Sequence, residues 1–237
     1  GIPVVIGVAE GDVRRVFEEK AREESAPIFF AQECDVMTSC RKNDLGQWAI
    51  DSRDFGFITY ELGGFCQEKN AATLLCALRL LRKEGFAITP EAVREGFAHV
   101  TTLTGLQGRW QQVNLSPRAY CDTGHNVGGF QYIVEQLASI KCATLRIVFG
   151  MVNDKDISGV LAMLPHSAVY YFTQASIPRA MPASVMRDKA AEKGLRGEVY
   201  ASVAEAYQAA MNDSNADDFV FVGGSSFVVA DLLAALG

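Results

Sequence analysis

"RAYCDTGHNVGGFQYIVEQLASI", residues 118–140, decides how the second half of the chain folds. Arg118 to Asp122 reads as a strand, and Gly128 to Ile140 carries apolar residues at helical spacing. The strand therefore hands over to the helix through a polar cluster, Asp122-Thr123-Gly124-His125-Asn126. The same alternation repeats downstream. "TLRIVFGM" precedes the helix "DISGVLAMLP", "SAVYYFTQA" precedes "MPASVMRDKAAEKG", and "GEVYA" precedes "SVAEAYQAAMN", in which Ser202 and Glu205 make a capping box. "DFVFVGG" is the final strand. Such regular alternation predicts an α/β fold whose mostly parallel, Rossmann-like sheet is wrapped by helices.

Ahead of Gly108 the rhythm differs. "GIPVVIGV" and "APIFFA" read as strands, and "DVRRVFEEKAREES" reads as an amphipathic helix with Val13, Val16, Phe17 and Ala21 on one face. Between Gly46 and Leu62 apolar and polar residues alternate, with a break at "DSRD", which predicts a hairpin. "NAATLLCALRLLRKEG" is a helix closed by glycine, and "TPEAVREGFAHV" sets Thr89 as N-cap with Pro90 at the first helical position. Two domains are expected, residues 1–107 and 108–237. The chain opens at once on a strand pattern with neither leader nor initiator Met, which reads as a chain cut at a domain seam.

Composition narrows the function. With 49% hydrophobic and 21% charged residues the chain can bury real cores, and a formal charge of −6 argues against a nucleic-acid partner. The six cysteines form no C-x-x-C pair and the three histidines lie far apart, so neither a disulfide framework nor a metal site is expected. No apolar run approaches the length of a membrane span. These features predict a cytoplasmic protein with reduced thiols and no membrane partner; a monomer is expected, although no feature of the sequence fixes the oligomeric state.

In open parallel sheets ligands bind beyond the carboxyl ends of the strands. Three polar clusters occupy such ends: Asp122 to Asn126, Asn153-Asp154-Lys155-Asp156, and Gly223-Gly224-Ser225-Ser226. Each has a plain local reading. Asp and Asn cap helices, Lys155 can be a solvated residue at a helix start, and "GGSS" suits any tight turn. Lys155 nevertheless opposes the helix dipole, and a Gly-Ser turn can cradle an anion through its N–H groups. Three clusters at strand ends together favour one shared site. A thiol nucleophile built from Cys121 and His125 carries little weight, because Cys121 should point into the sheet. No G-x-x-x-x-G-K-[ST] pattern occurs, so no P-loop is encoded.

Six segments in order, "GIPVVIG", "QEKNAATLLCALRLL", "GRWQ", "DTGHN", "VFGMVNDKDI" and "FVGGSSFVVADLL", resemble the folylpolyglutamate synthase/dihydrofolate synthase family of Mur-type ligases. The resemblance implies that residues 1–107 are the end of an α/β ATP-binding domain, the central domain of these ligases, and that residues 108–237 are the linker and C-terminal domain. It implies ATP and Mg2+, with the metal ligands and the P-loop in a preceding half, and a folate or dihydropteroate and L-glutamate as substrates joined through an acyl phosphate. It places Asn70 against adenine, Arg109 on the ATP phosphates across the linker and Asp122 at the ribose. His125 and Lys155 become the catalytic pair, with His125 and Ser225 facing glutamate. One departure is Gly124, where many relatives carry Ala. A cell-wall amino-acid ligase of the same superfamily and a nucleotide-binding module without chemistry are the alternatives.

Overall fold

Val4–Ile6 (β1) runs into Gly11–Glu23 (α1) and returns as Ile28–Phe30 (β2), which pairs in parallel with β1. The computed structural model describes residues 1–43 and 46–237, and these divide into two units, Gly1–Leu106 and Gln107–Gly237. Of the four residues expected on the apolar face of α1, Ala21 alone is buried, while Val13 and Val16 are 59% and 62% exposed. A two-stranded sheet is too narrow to cover the whole stripe.

After a 3-10 turn at Ala31–Glu33, the strands Met37–Lys42 (β3), Trp48–Ser52 (β4) and Gly56–Tyr60 (β5) form an antiparallel sheet in that order. The expected hairpin is β4 and β5. The strand β3 adds to its edge through a sequence, "MTSCRK", too polar to announce itself. Ile50, Ile58 and Tyr60 turn to one face and pack with Leu75 of the helix Gln67–Lys83 (α2) and Phe97 of Pro90–Ala98 (α3). Thr89 caps α3 as expected, its hydroxyl accepting from the Ala92 N–H at 3.1 Å. A short helix, Val100–Thr104 (α4), ends the unit on Gly105, whose φ of +70° is the left-handed conformation of a helix terminus.

The second unit begins with Gln111–Asn114 (β6) and Arg118–Asp122 (β7), an antiparallel pair. Then follow Val127–Ser139 (α5), Leu145–Phe149 (β8), Ile157–Leu161 (α6), Val169–Phe172 (β9), Ala183–Glu192 (α7), Gly197–Val199 (β10), Val203–Asn212 (α8), Phe219–Gly223 (β11) and Ser226–Leu236 (α9). The sheet order is β10-β9-β8-β11-β7-β6, and all pairs but the last are parallel. The mostly parallel, helix-wrapped sheet read from the sequence is thus present, with β6 as an antiparallel edge.

Pleating divides the side chains between two faces. Phe219 and Phe221 join Ile147, Phe149, Tyr170 and Phe172 in a core closed by Phe130 of α5, Leu161 of α6 and Met186 of α7. Val220 and Val222 join Val148 and Tyr171 in a second core closed by Val203 of α8 and by Val228 and Leu232 of α9. The arrangement follows from right-handed crossovers. From β7 the chain steps through β8, β9 and β10 in one direction, with α5, α6 and α7 on one side. It then returns through α8, on the other side, to place β11 between β7 and β8. No helix among the described residues is long and apolar enough to cross a membrane.

Below β11, Asp218 anchors the opposite edge of this sheet. It is 2% exposed, accepts from the N–H groups of Thr144 (2.9 Å) and Asn215 (3.0 Å), and pairs with Arg146 at 3.2 Å. Burial pushes its carboxyl up, but the Asn215 N–H, the Arg146 guanidinium and the Thr144 N–H outweigh it and hold the carboxyl below the usual range. This stabilisation is therefore complete above the unfolded value of about 3.9 and is lost as pH falls through the lower folded value. Asp218→Ala strands the buried partners and should cost about 3 kcal/mol, measured by denaturant unfolding at neutral pH. The difference from wild type should shrink in acid.

Candidate functional site

The register across β8, β11 and β7 sets three strand ends level, Phe149 against Gly223 and Gly223 against Asp122. Each strand then leaves the sheet on the same edge, so the segments 122–126, 150–155 and 223–226 are neighbours. Glycine makes the close approach possible. A Cβ on Gly150 would lie 2.5 Å from the Thr173 carbonyl oxygen, and one on Gly224, whose φ is +100°, would lie 2.6 Å from the Gly150 oxygen.

Asp122 is held by backbone. Its two oxygens accept from the N–H groups of Trp110 and Gly124, each at 2.8 Å. Burial pushes the Asp122 carboxyl above its ordinary range, while these two donors and the nearby Arg109 pull the other way. The Trp110 N–H reaches Asp122 from a left-handed backbone with φ +48°, a costly conformation for a large side chain. The Trp110 ring offsets that cost by stacking on Phe219 and Phe221, with centroids 6.3 and 5.7 Å away, and by lying 5.6 Å from Tyr120. The Gly108 carbonyl accepts from the Thr123 N–H at 2.9 Å, and the exposed Arg109 guanidinium donates to the Thr123 hydroxyl. Residues 108–110 are thereby strapped to the end of β7, with Arg109 projecting from the strap. Trp110 and Thr123 entered the sequence reading only as members of the segments "GRWQ" and "DTGHN", with no part assigned to either. The one available signal was a tryptophan directly after Gly-Arg.

The other residues singled out divide between the units. His125 is half-buried, its Nδ1 3.1 Å from the Thr123 carbonyl oxygen, and Asn126 caps α5 by accepting from the Gly129 N–H at 2.8 Å. Lys155 is half-buried on the loop after β8, just before Asp156, which caps α6. Ser225 is 2% exposed and caps α9, its oxygen accepting from the Phe227 N–H at 3.2 Å. Arg109, Asp122, His125, Lys155 and Ser225 therefore share the second unit and the strand-end edge. Asn70 belongs to the first unit, exposed in the first turn of α2, where its amide donates to Gln67 Oε1 at 2.9 Å. The structure adds Arg179, overlooked in the sequence. Its backbone carbonyl accepts from the Asn153 N–H at 3.1 Å, its guanidinium lies 3.5 Å from Asp154, and it covers the Phe227 ring at 4.8 Å. The edge thus presents three cations, Arg109, Lys155 and Arg179, beside the N-termini of α5 and α9, a setting that favours anions.

At Gly124 a Cβ would meet the terminal methyl of Ile133 at 2.4 Å, so an alanine there would require Ile133 to move. No group of three or more His, Cys, Asp or Glu among the described residues could hold a metal ion, so the residues present do not fit the expected divalent cation. The first unit also carries an apolar cavity of about 400 Å³, bounded by Tyr60, Leu78, Ile88, Val93 and Phe97. The Tyr60 hydroxyl there donates to Gln67 at 3.0 Å.

Known proteins place this edge in context. Residues 108–226, half of the chain, match the Mur ligase, glutamate ligase domain family. A dihydrofolate synthase/folylpolyglutamate synthase of Escherichia coli strain K12 is 34% identical over 170 residues, 71% of this chain and 38% of that protein. The structure of Escherichia coli FolC in complex with DHPP and ADP superposes with a TM-score of 0.76 at 30% identity, covering 99% of this chain and 53% of that one. A bifunctional folylpolyglutamate synthase/dihydrofolate synthase from Yersinia pestis, complexed with AMPPNP and Mn ion, gives 0.75 at 28% identity, covering 99% and 53%. The chain belongs to the folylpolyglutamate synthase/dihydrofolate synthase family of Mur-type ligases. It spans about half the length of these solved relatives.

The strap makes a prediction that separates two neighbouring residues. Asp122→Ala deprives two partly buried N–H groups of their acceptor and should destabilise the second unit by about 2 kcal/mol. Arg109→Ala, at an exposed position, should change stability by no more than about 0.5 kcal/mol. Denaturant unfolding followed by circular dichroism checks both. Amide exchange at Trp110 and Gly124 should quicken in Asp122→Ala alone.

Proposed function

We propose that this chain supplies the glutamate-ligating part of an ATP-dependent enzyme that joins L-glutamate to a folate or to dihydropteroate. A carboxylate of the acceptor takes the γ-phosphoryl group of ATP and releases ADP. The glutamate amine then attacks the acyl phosphate, forming the amide and expelling phosphate. The observation that carries this reading is the level register of Asp122, Gly223 and Phe149, which gathers three polar loops and three cations on one edge within the matched span. ADP, AMPPNP and manganese in the related structures support a nucleotide and a divalent metal as its companions.

In this reading the residues take distinct parts. Arg109, always charged and fork-shaped, neutralises phosphate oxygens, with Asn70 and Asp122 serving the adenine and ribose. Lys155 neutralises a glutamate carboxylate, and the His125 imidazole orients the amine and accepts its proton. The Ser225 oxygen already accepts from the Phe227 N–H, which leaves its own hydroxyl proton to donate to glutamate. The chain holds neither a P-loop in its sequence nor a metal cluster among its described residues, so both are assigned to a part of the enzyme outside these 237 residues.

Two measurements test the assignment. In the enzyme that contains this chain, His125→Ala and Lys155→Ala should lower amide formation by about a hundredfold or more while nucleotide affinity stays near wild type, and Lys155→Ala should also raise the glutamate KM. Arg109→Ala should raise the ATP requirement instead. Normal ligation in both the His125 and Lys155 variants removes the pair from the chemistry. The 237 residues alone, given ATP, magnesium, glutamate and a reduced folate, should release no phosphate, and turnover of about one per second or faster would overturn the division of labour.

A further inference from the structure

In the first unit two cysteines 42 positions apart meet. Cys34 follows the 3-10 turn, half-buried, and its Sγ lies 2.9 Å from the Sγ of Cys76, which is buried in α2 at 2% exposure. Two thiols in contact across elements that pack together are held in register by the surrounding fold. α2 is anchored from the same side by Arg79, which donates to the Asp35 carbonyl at 2.7 Å and pairs with Asp54 at 2.6 Å.

We propose that Cys34 and Cys76 are a site of oxidative modification, closing to an intramolecular disulfide when the protein meets a hydroperoxide. A disulfide requires about 2.05 Å between sulfurs, so each side chain has only a fraction of an ångström to travel. The half-buried Cys34 is the thiol a small oxidant reaches first. Its thiolate attacks one peroxide oxygen and breaks the O–O bond. The sulfur becomes a sulfenic acid, and the departing hydroxide takes a proton to leave as water. The Cys76 thiol first gives its proton to solvent, and its thiolate then attacks the Cys34 sulfur and expels hydroxide, which takes up a proton from solvent and leaves as a second water. Two thiols lose two electrons in total and one peroxide gains them.

The surroundings shape the rate. Burial, followed by contact with Cys34, raises the pKa of the Cys76 thiol, whereas Arg79 and Lys83 further along α2 oppose that rise. Resolution by Cys76 is therefore slow at neutral pH and quickens in alkali. The bond would enclose β3, β4, β5 and the first half of α2 in one covalent loop, restricting the unfolded chain and raising thermal stability. Cys121 differs from this pair in being fully buried in the sheet of the second unit.

The test needs no substrate and does not depend on the proposed function. The protein is treated with hydrogen peroxide at mildly alkaline pH, remaining thiols are alkylated, and peptides are mapped by mass spectrometry without reduction. The expected product has lost two hydrogen masses, carries a linked peptide pair containing Cys34 and Cys76, melts several degrees higher, and returns to the starting mass with dithiothreitol. Cys34→Ser, at the half-buried position, should abolish the linked pair, and Cys76→Ala should leave Cys34 trapped as a sulfenic acid that dimedone labels. If Cys76→Ala fails to fold, the Cys34→Ser variant and the linked-peptide map decide alone. Alkylation of both thiols after peroxide, pairing of either one with a different cysteine, or accumulation of sulfinic acid on Cys34 in the wild-type protein overturns the proposal.

Discussion

A parallel sheet that is apolar on both faces has to be covered on both, and the second unit is organised by that requirement. Phe219 and Phe221 point one way along β11 while Val220 and Val222 point the other, so neither face can be left to solvent. Helices must therefore lie on each side, and every connection between parallel strands must cross from one end of the sheet to the other. The carboxyl ends of β7, β8 and β11 are consequently the places where the chain turns out of the sheet, and the loops found there carry the polar clusters even though Met151 and Val152 of the β8 loop stay buried. The candidate site is a by-product of covering hydrophobic surface, made specific by the residues placed in those turns.

Within the edge, backbone rather than side chains does most of the fixing. Asp122 is gripped by two amide groups, Ser225 and Asn126 occupy helix caps, and Gly150 and Gly224 allow main chains to approach where any side chain would collide. Capping and chemistry are not exclusive. A cap holds a side chain still through one of its polar atoms and leaves the remaining lone pairs and protons available, so a capping residue can at the same time be a preorganised binding group.

Legibility in the sequence tracked the strength of local signals. The strand at Arg118–Asp122 matches its reading residue for residue, and Thr89 with Pro90 opens α3 as the capping pattern requires. What escaped notice was set by contacts distant in sequence. The strand β3 is polar and depends on β4 to exist, and β6 is an edge strand whose place comes from pairing with β7. The apolar stripe of α1 was legible, but its exposure at Val13 and Val16 depends on how wide the neighbouring sheet is. Trp110 belongs to the same class, since its left-handed backbone is tolerable only where Phe219 and Phe221, more than a hundred residues later, supply the stack. For the site, polar clusters at strand ends were visible as types and spacing, whereas the clamp on Asp122 and the presence of Arg179 beside the Lys155 loop required the tertiary arrangement.

The position of β11 has a consequence for how the second unit comes into being. This strand lies between β7 and β8, yet in sequence it follows all the others in its sheet. As the polypeptide leaves the ribosome, β7 and β8 emerge with no ladder to join them, and α5 has only half a platform on which to dock. Closure of both cores waits for Phe219 to Gly223, so their assembly is a late, long-range event of the kind that slows folding and prolongs the exposure of apolar strands. During vectorial synthesis the nascent second unit would remain a client for holding factors until its central strand arrives.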